Sequence, residues 1–134
     1  MQWEGADLIH VFEGLSQTNQ QHISDRTFKV IHGELFDLIK GACYALIHQD
    51  DAGYAPKLPL SFTPLQVLFM HAMLLDHREA LHRDLLSSAD KHTEAYLAEA
   101  ILALNVTIGK LHGSLSPYFK RPAEVQKHIF KKSA

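Results

Sequence analysis

Cysteine occurs once, at Cys43, so the chain can form no internal disulfide and no zinc or iron–sulfur site built from several thiolates. A single thiol is what a reducing compartment predicts, and Cys43, on the edge of an apolar face, reads as a buried, inert side chain. Long apolar runs are also missing. The longest uncharged stretch, Leu58 to Leu75, approaches a membrane span in length, but Pro59, Pro64, Gln66 and His71 interrupt it, which argues against a transmembrane helix. The first residues carry Glu4 and Asp7 and no basic region of the kind a secretory signal needs, so a cytoplasmic location is expected. Neither charge sign dominates: 13 basic and 15 acidic residues leave −2, which argues against a chain that coats nucleic acid. With 46% apolar residues in 134, the chain suffices for one domain with its own core, residues 1–134.

What is present is helical periodicity. Leu8, Phe12, Leu15 and Ile23 repeat at helical spacing over about residues 3–23, with Glu4 and Asp7 in a first turn that favours acids. Ser24 or Asp25 can cap a second helix reaching about residue 49, whose stripe is Phe28, Ile31, Leu35, Leu38, Ile39, Ala42 and Leu46. Gly53, Pro56 and Pro59 then break the pattern, and the apolar Leu58, Leu60 and Phe62 predict a long connection packed across the end of a bundle. Thr63-Pro64 is a strong helix start, a hydroxyl cap followed by a proline whose missing N–H costs nothing there. The third helix runs to about residue 89 and the fourth from about 93 to 115, before Pro117; a short fifth follows Pro122. With no alternating strand, the expectation is an all-α antiparallel four-helix bundle with one long proline-containing loop and a short basic C-terminal helix.

Charge and histidine are unevenly spread. Up to Gly109 there are 7 basic and 14 acidic residues, net −7, whereas residues 110–134 hold 6 basic and 1 acidic, net +5. Residues 117–134 therefore read as a basic appendage whose Lys120, Arg121, Lys127, Lys131 and Lys132 can dock on an acidic partner or back on the acidic body. Ten histidines are many for this length, yet no two lie three or four residues apart, the spacing at which two imidazoles share a helical face and a metal. No metal ligand is assigned.

Three fragments resemble known helical proteins. Glu79-Ala80-Leu81-His82 is similar to the E-x-x-H of carboxylate-bridged di-iron bundles, which need it twice, and no second copy exists here. Asp37-Leu38-Ile39-Lys40-Gly41-Ala42 resembles the helix of histidine phosphotransfer domains, with Asp37 standing where the acceptor histidine would be. Without that role, Gly41 and Ala42 would serve to let a neighbouring helix approach closely. Arg26 to His32 and Arg121 to His128 match the arginine–histidine spacing of helical ribonucleases of the HEPN type, which would imply RNA cleavage, although Pro122 departs from the polar residue expected after the arginine. No serine, cysteine or phosphate-loop constellation can be placed, so no catalytic residue and no cofactor are assigned.

Two surfaces break the simple inside–outside pattern. On the third helix His71, Arg78 and His82 fall within the apolar face of Val67, Leu74, Leu75, Leu81 and Leu85, so a polar network, an interface or a metal, haem or ligand pocket is expected on the core side. The fourth helix is apolar on two sides: Leu97, Ile101, Leu104, Ile108, Leu111 and Leu115 form one, and Ala95, Ala98, Leu102, Val106, Gly109 and Gly113 the other. The second stripe predicts a homodimer or a partner helix, unless the chain's own Val125, Ile129 and Phe130 cover it. The function expected is a non-enzymatic adaptor, regulator or inhibitor acting by protein contact; the alternatives are a HEPN-type ribonuclease and a histidine-rich bundle that binds a metal, haem or small ligand.

Overall fold

The structure, a computed structural model, describes residues 3–50 and 61–131, with the side chains of 48–50 left out. It is an all-α bundle. Helices α1 (Gly5–Gln17), α2 (Arg26–Asp50), α3 (Pro64–Ser87) and α4 (Lys91–Leu115) are followed by a 3-10 turn at Pro122–Val125 and a single α-helical turn, α5 (Gln126–Ile129). Among the described residues there is no strand, only an isolated antiparallel bridge between Ile23 and Phe130. Most of the long connection, with Leu58 and Leu60, lies outside the described residues, as does Lys132.

Local chemistry sets the boundaries. Thr63 and Gln66 form a reciprocal cap at the start of α3, the Gln66 amide donating to Thr63 Oγ1 at 3.2 Å and the Thr63 amide to Gln66 Oε1 at 2.9 Å. Asp25 accepts from the Thr27 amide at the start of α2 (2.7 Å). Helix α4 begins two residues before the predicted start because Asp90 caps it, accepting from the His92 amide at 3.1 Å. Helix α1 ends at Gln17 rather than continuing to residue 23. The Thr18 amide and hydroxyl both donate to the Gly14 carbonyl, and Asn19 then caps a separate 3-10 turn, Gln20–His22. Ile23 is still fully buried, reached by a turn instead of a helix.

Helix α3 is the centre of the molecule. All eight residues from Leu68 to Leu75 are buried, because α1, α2, α4 and the C-terminal segment pack around this half of the helix. The sequence predicts surplus apolar surface on α4; the helix surrounded on every side is α3. Val11 and Leu15 of α1, Leu35 and Ile39 of α2, Leu104 and Leu111 of α4, and Ile129 complete the core. Leu38, expected in the inward stripe of α2, is instead 45% exposed. The close helix approach is made by Gly14, where an added Cβ would lie 3.0 Å from Met73 Cε, whereas a Cβ at Gly41 would meet none of the described residues within 4 Å. From His82 to Tyr96 nearly every residue is exposed.

Candidate interaction surface on the fourth helix

One face of α4 is committed to the core, with Leu97, Ile101, Leu104, Ile108, Leu111 and Leu115 all buried. The opposite face carries Ala95, Leu102, Val106, Gly109 and Gly113 of the predicted stripe and, in place of the half-buried Ala98, the acidic Glu99, spaced alternately by four and three residues. That is the repeat with which one helix presents a seam to another. All six are exposed; Leu102 is 68% and Val106 60% accessible. A Cβ at Gly109 or Gly113 would meet nothing within 4 Å among the described residues, whose packing does not require glycine there.

The C-terminal segment does not cover this seam. Pro122 and Ile129 are buried, and Val125 and Phe130 pack against the core cluster, on the side of α3. Phe130 bridges Ile23, the Lys131 amide donates to the His22 carbonyl (2.6 Å), and the Ser24 hydroxyl donates to the His128 and Ile129 carbonyls. These bonds tie the segment to the turn between α1 and α2, on a different side of the bundle from Leu102 and Val106.

A buried polar cluster fixes α4 against α1, and the periodicity argument missed it. Asp7 and Thr107 are only 2% and 1% exposed. The Asp7 carboxylate accepts from the Glu4 amide (2.9 Å), the Thr107 hydroxyl (2.6 Å) and the Lys110 ammonium (2.7 Å). Burial pushes the Asp7 pKa up, but the Lys110 and Thr107 bonds outweigh it and hold the carboxyl below its ordinary 3.8. Lys110 is raised in turn, chiefly by its bond to Asp7. Thr107 has one hydroxyl proton and gives it to Asp7. His10 Nδ1, 2.9 Å from Thr107 Oγ1, must therefore be the donor in its own contact. The signal in the sequence was a threonine beside the inward stripe of α4 and an acid in the first turn of α1. Read by its own period, each helix gives no sign that the two meet.

Around this clamp, α1, α3 and α4 border an open groove of about 530 Å3 lined in part by His10, Glu13, His77, Tyr96 and Glu99. The His77 pKa is lowered by burial, against the opposing pull of Glu13 and Asp76.

The polar stripe predicted on α3 is divided by the structure. His71 is buried, its Nδ1 has no hydrogen-bond partner among the described residues, and its ring lies 5.7 Å from that of His112. Burial first, then the neighbouring His112 and Arg78, lower its pKa to about 4. Arg78 is half-buried and donates to Asn105 Oδ1 at 2.8 Å. His82 is exposed, contrary to the expectation that it faces the core, because α3 has outrun the body there. Among the described residues no group of three histidine, cysteine or acidic side chains converges to hold a metal.

The basic positions are also dispersed. Lys120 is exposed, and Arg121 pairs with Glu124 at 3.4 Å. Lys127 and Lys131 border an open groove of about 750 Å3 whose lining also includes Asp76, Glu79 and Arg83. In the Arg26 to His32 motif, His32 is buried with both ring nitrogens engaged. Nε2 lies 2.9 Å from the Leu15 carbonyl and must donate to it, which leaves Nδ1 to accept from Gln20 Nε2 at 3.0 Å. Cys43 is half-buried and its thiol pKa is pushed up by burial.

No helix of the described residues is long and apolar enough to cross a membrane. Compared with protein-family models, curated proteins and solved structures, the chain matches none.

Proposed function

We propose that the protein is a cytoplasmic, non-enzymatic helical adaptor or regulator of the inhibitor or assembly-factor kind, which works by protein contact and pairs with a second copy of itself through the outer face of α4. The observation that carries this reading is the pair Leu102 and Val106, 68% and 60% exposed in a seam whose other members are Ala95, Gly109, Gly113 and the acidic Glu99, and which the C-terminal segment leaves open. An antiparallel pairing centred between them sets Leu102 of one copy against Val106 of the other and Ala95 against Gly113. The bulky centre and small ends of the seam are then matched. The same pairing lays the acidic first half of one helix, with Glu94 and Glu99, along the half that leads to Lys110, His112 and Lys120 in the other.

Two large apolar side chains per copy form a small interface, so a dissociation constant in the micromolar range is expected rather than nanomolar. Sedimentation equilibrium up to millimolar protein tests this. The wild type should show a concentration-dependent dimer, and Leu102→Asp should remain monomeric with an unchanged circular dichroism spectrum, because the side chain is exposed in a single chain. A wild type that stays monomeric, or a Leu102→Asp variant that still dimerises, refutes the pairing. The ribonuclease alternative draws less support, since His32 has no free ring nitrogen and Arg121 is paired with Glu124. The metal or haem alternative loses His82, which faces solvent.

A further inference from the structure

At the end of the bundle where α3 begins and α4 finishes, three segments far apart in sequence bring three aromatic rings to one hollow. Trp3 precedes α1, Phe62 precedes α3, and Tyr118 follows α4. The hollow has a volume of about 230 Å3, below the roughly 300 Å3 at which pockets for drug-sized ligands begin, so it suits a head group rather than a whole ligand. The Trp3 and Phe62 ring centroids lie 5.3 Å apart with their planes inclined at 59°, and both residues line the hollow with Val67. Tyr118 is 67% exposed, which leaves its ring available as a further part of that lining.

The polarity of the site selects the ligand. Among the described residues no lysine, arginine or histidine lines the hollow, so an anion would find no cationic partner among them. The polar groups are the hydroxyls of Ser61, Ser114 and Tyr118. Ser114 already donates its proton to the Lys110 carbonyl (3.2 Å), so its oxygen is left to accept. Glu4, which follows Trp3 in sequence, and Asp7 both pair with Lys110, whose carbonyl Ser114 bonds, and these three charges sum to −1. Aromatic faces carry negative potential and attract cations, most strongly when the cation is poorly hydrated. A fully methylated ammonium satisfies each condition: it is cationic, apolar at its surface and compact, and it needs no hydrogen-bond acceptor.

We propose that Trp3, Phe62 and Tyr118 form a recognition site for a quaternary ammonium head group. The site is independent of the α4 seam. Trp3 is the chain's single tryptophan, so its fluorescence reports directly on occupancy. The titrant is choline, with 3,3-dimethylbutan-1-ol as its uncharged isostere and sodium chloride to match ionic strength. Choline should give a saturable change that the isostere and the salt do not. Tyr118→Leu should weaken choline about three- to tenfold, the worth of one cation–π contact, and Tyr118→Phe should retain it. A peptide carrying trimethyllysine, beside its unmethylated form, and phosphatidylcholine vesicles distinguish the sources of the group, and the tightest binder among them names the source. No saturable response to choline, an equal response to the isostere, or undiminished binding by Tyr118→Leu overturns the proposal.

Discussion

Replacing His71 by leucine should remove most of the protein's acid lability in one pH window. The ring is 2% exposed and its folded pKa is about 4, against an ordinary value of 6.5 that the unfolded chain retains. Between those two values the unfolded state takes up a proton that the native state refuses, so stability rises with pH across the window. The contribution is fully present above pH 6.5 and is lost as pH falls towards 4. The shift corresponds to about 3 kcal/mol, a large share of the stability of a domain this size. At neutral pH the substitution has a different effect. Nδ1 has no partner among the described residues, and a buried unsatisfied group costs about 1–3 kcal/mol, so an apolar side chain of similar size should leave stability unchanged or raise it. Urea unfolding of wild type and His71→Leu at intervals from pH 4 to pH 8 measures both effects, with the exposed His82→Leu as the comparison. Wild type and His82→Leu should decline together by about 3 kcal/mol more than His71→Leu across the window. Parallel curves for all three proteins would refute the argument and place the His71 ring in water.

The Asp7 cluster makes a separate prediction. Thr107→Val should cost about 1–3 kcal/mol in urea unfolding, because it deprives both Asp7 and His10 of a partner. Since the Asp7 carboxyl is held below 3.8, its own contribution is present above that value and lost only as pH falls below it, a window distinct from that of His71. The glycines should separate as well. Gly41→Ala, which meets nothing within 4 Å among the described residues, should stabilise α2 by about 0.5–1 kcal/mol. Gly14→Val, pressed against Met73 and Leu74, should lose about 1–3 kcal/mol; thermal melts of the two variants that moved the same way would contradict the packing described.

Local signals were legible because they act over three or four residues. The Thr63-Pro64 start and the apolar stripes of α2 and α4 are written in neighbouring side chains, and the helices follow them. The ends were less legible. Thr18 and Asp90 terminate or begin helices through bonds that compete with the apolar period, and the longer period suggested otherwise. The exposed seam of α4 was visible as a stripe, but a stripe alone does not say what covers it; the docking of Ile129 and Phe130 beside α3 shows only that these residues do not.

The sequence by itself determined that the chain is all-helical and which flank of α4 faces the core, since the 3.6-residue period and the capping residues act locally. Only the tertiary structure decided that α3 is the enclosed helix, that His71 is buried while His82 is exposed, and that Asp7 meets Thr107 and Lys110 one hundred residues on. It also decided that Trp3, Phe62 and Tyr118 meet at one end of the bundle. The physical reason is that burial and pairing depend on how far each helix extends beyond its neighbours and on which remote side chain lies opposite, and a period measured along one helix contains neither.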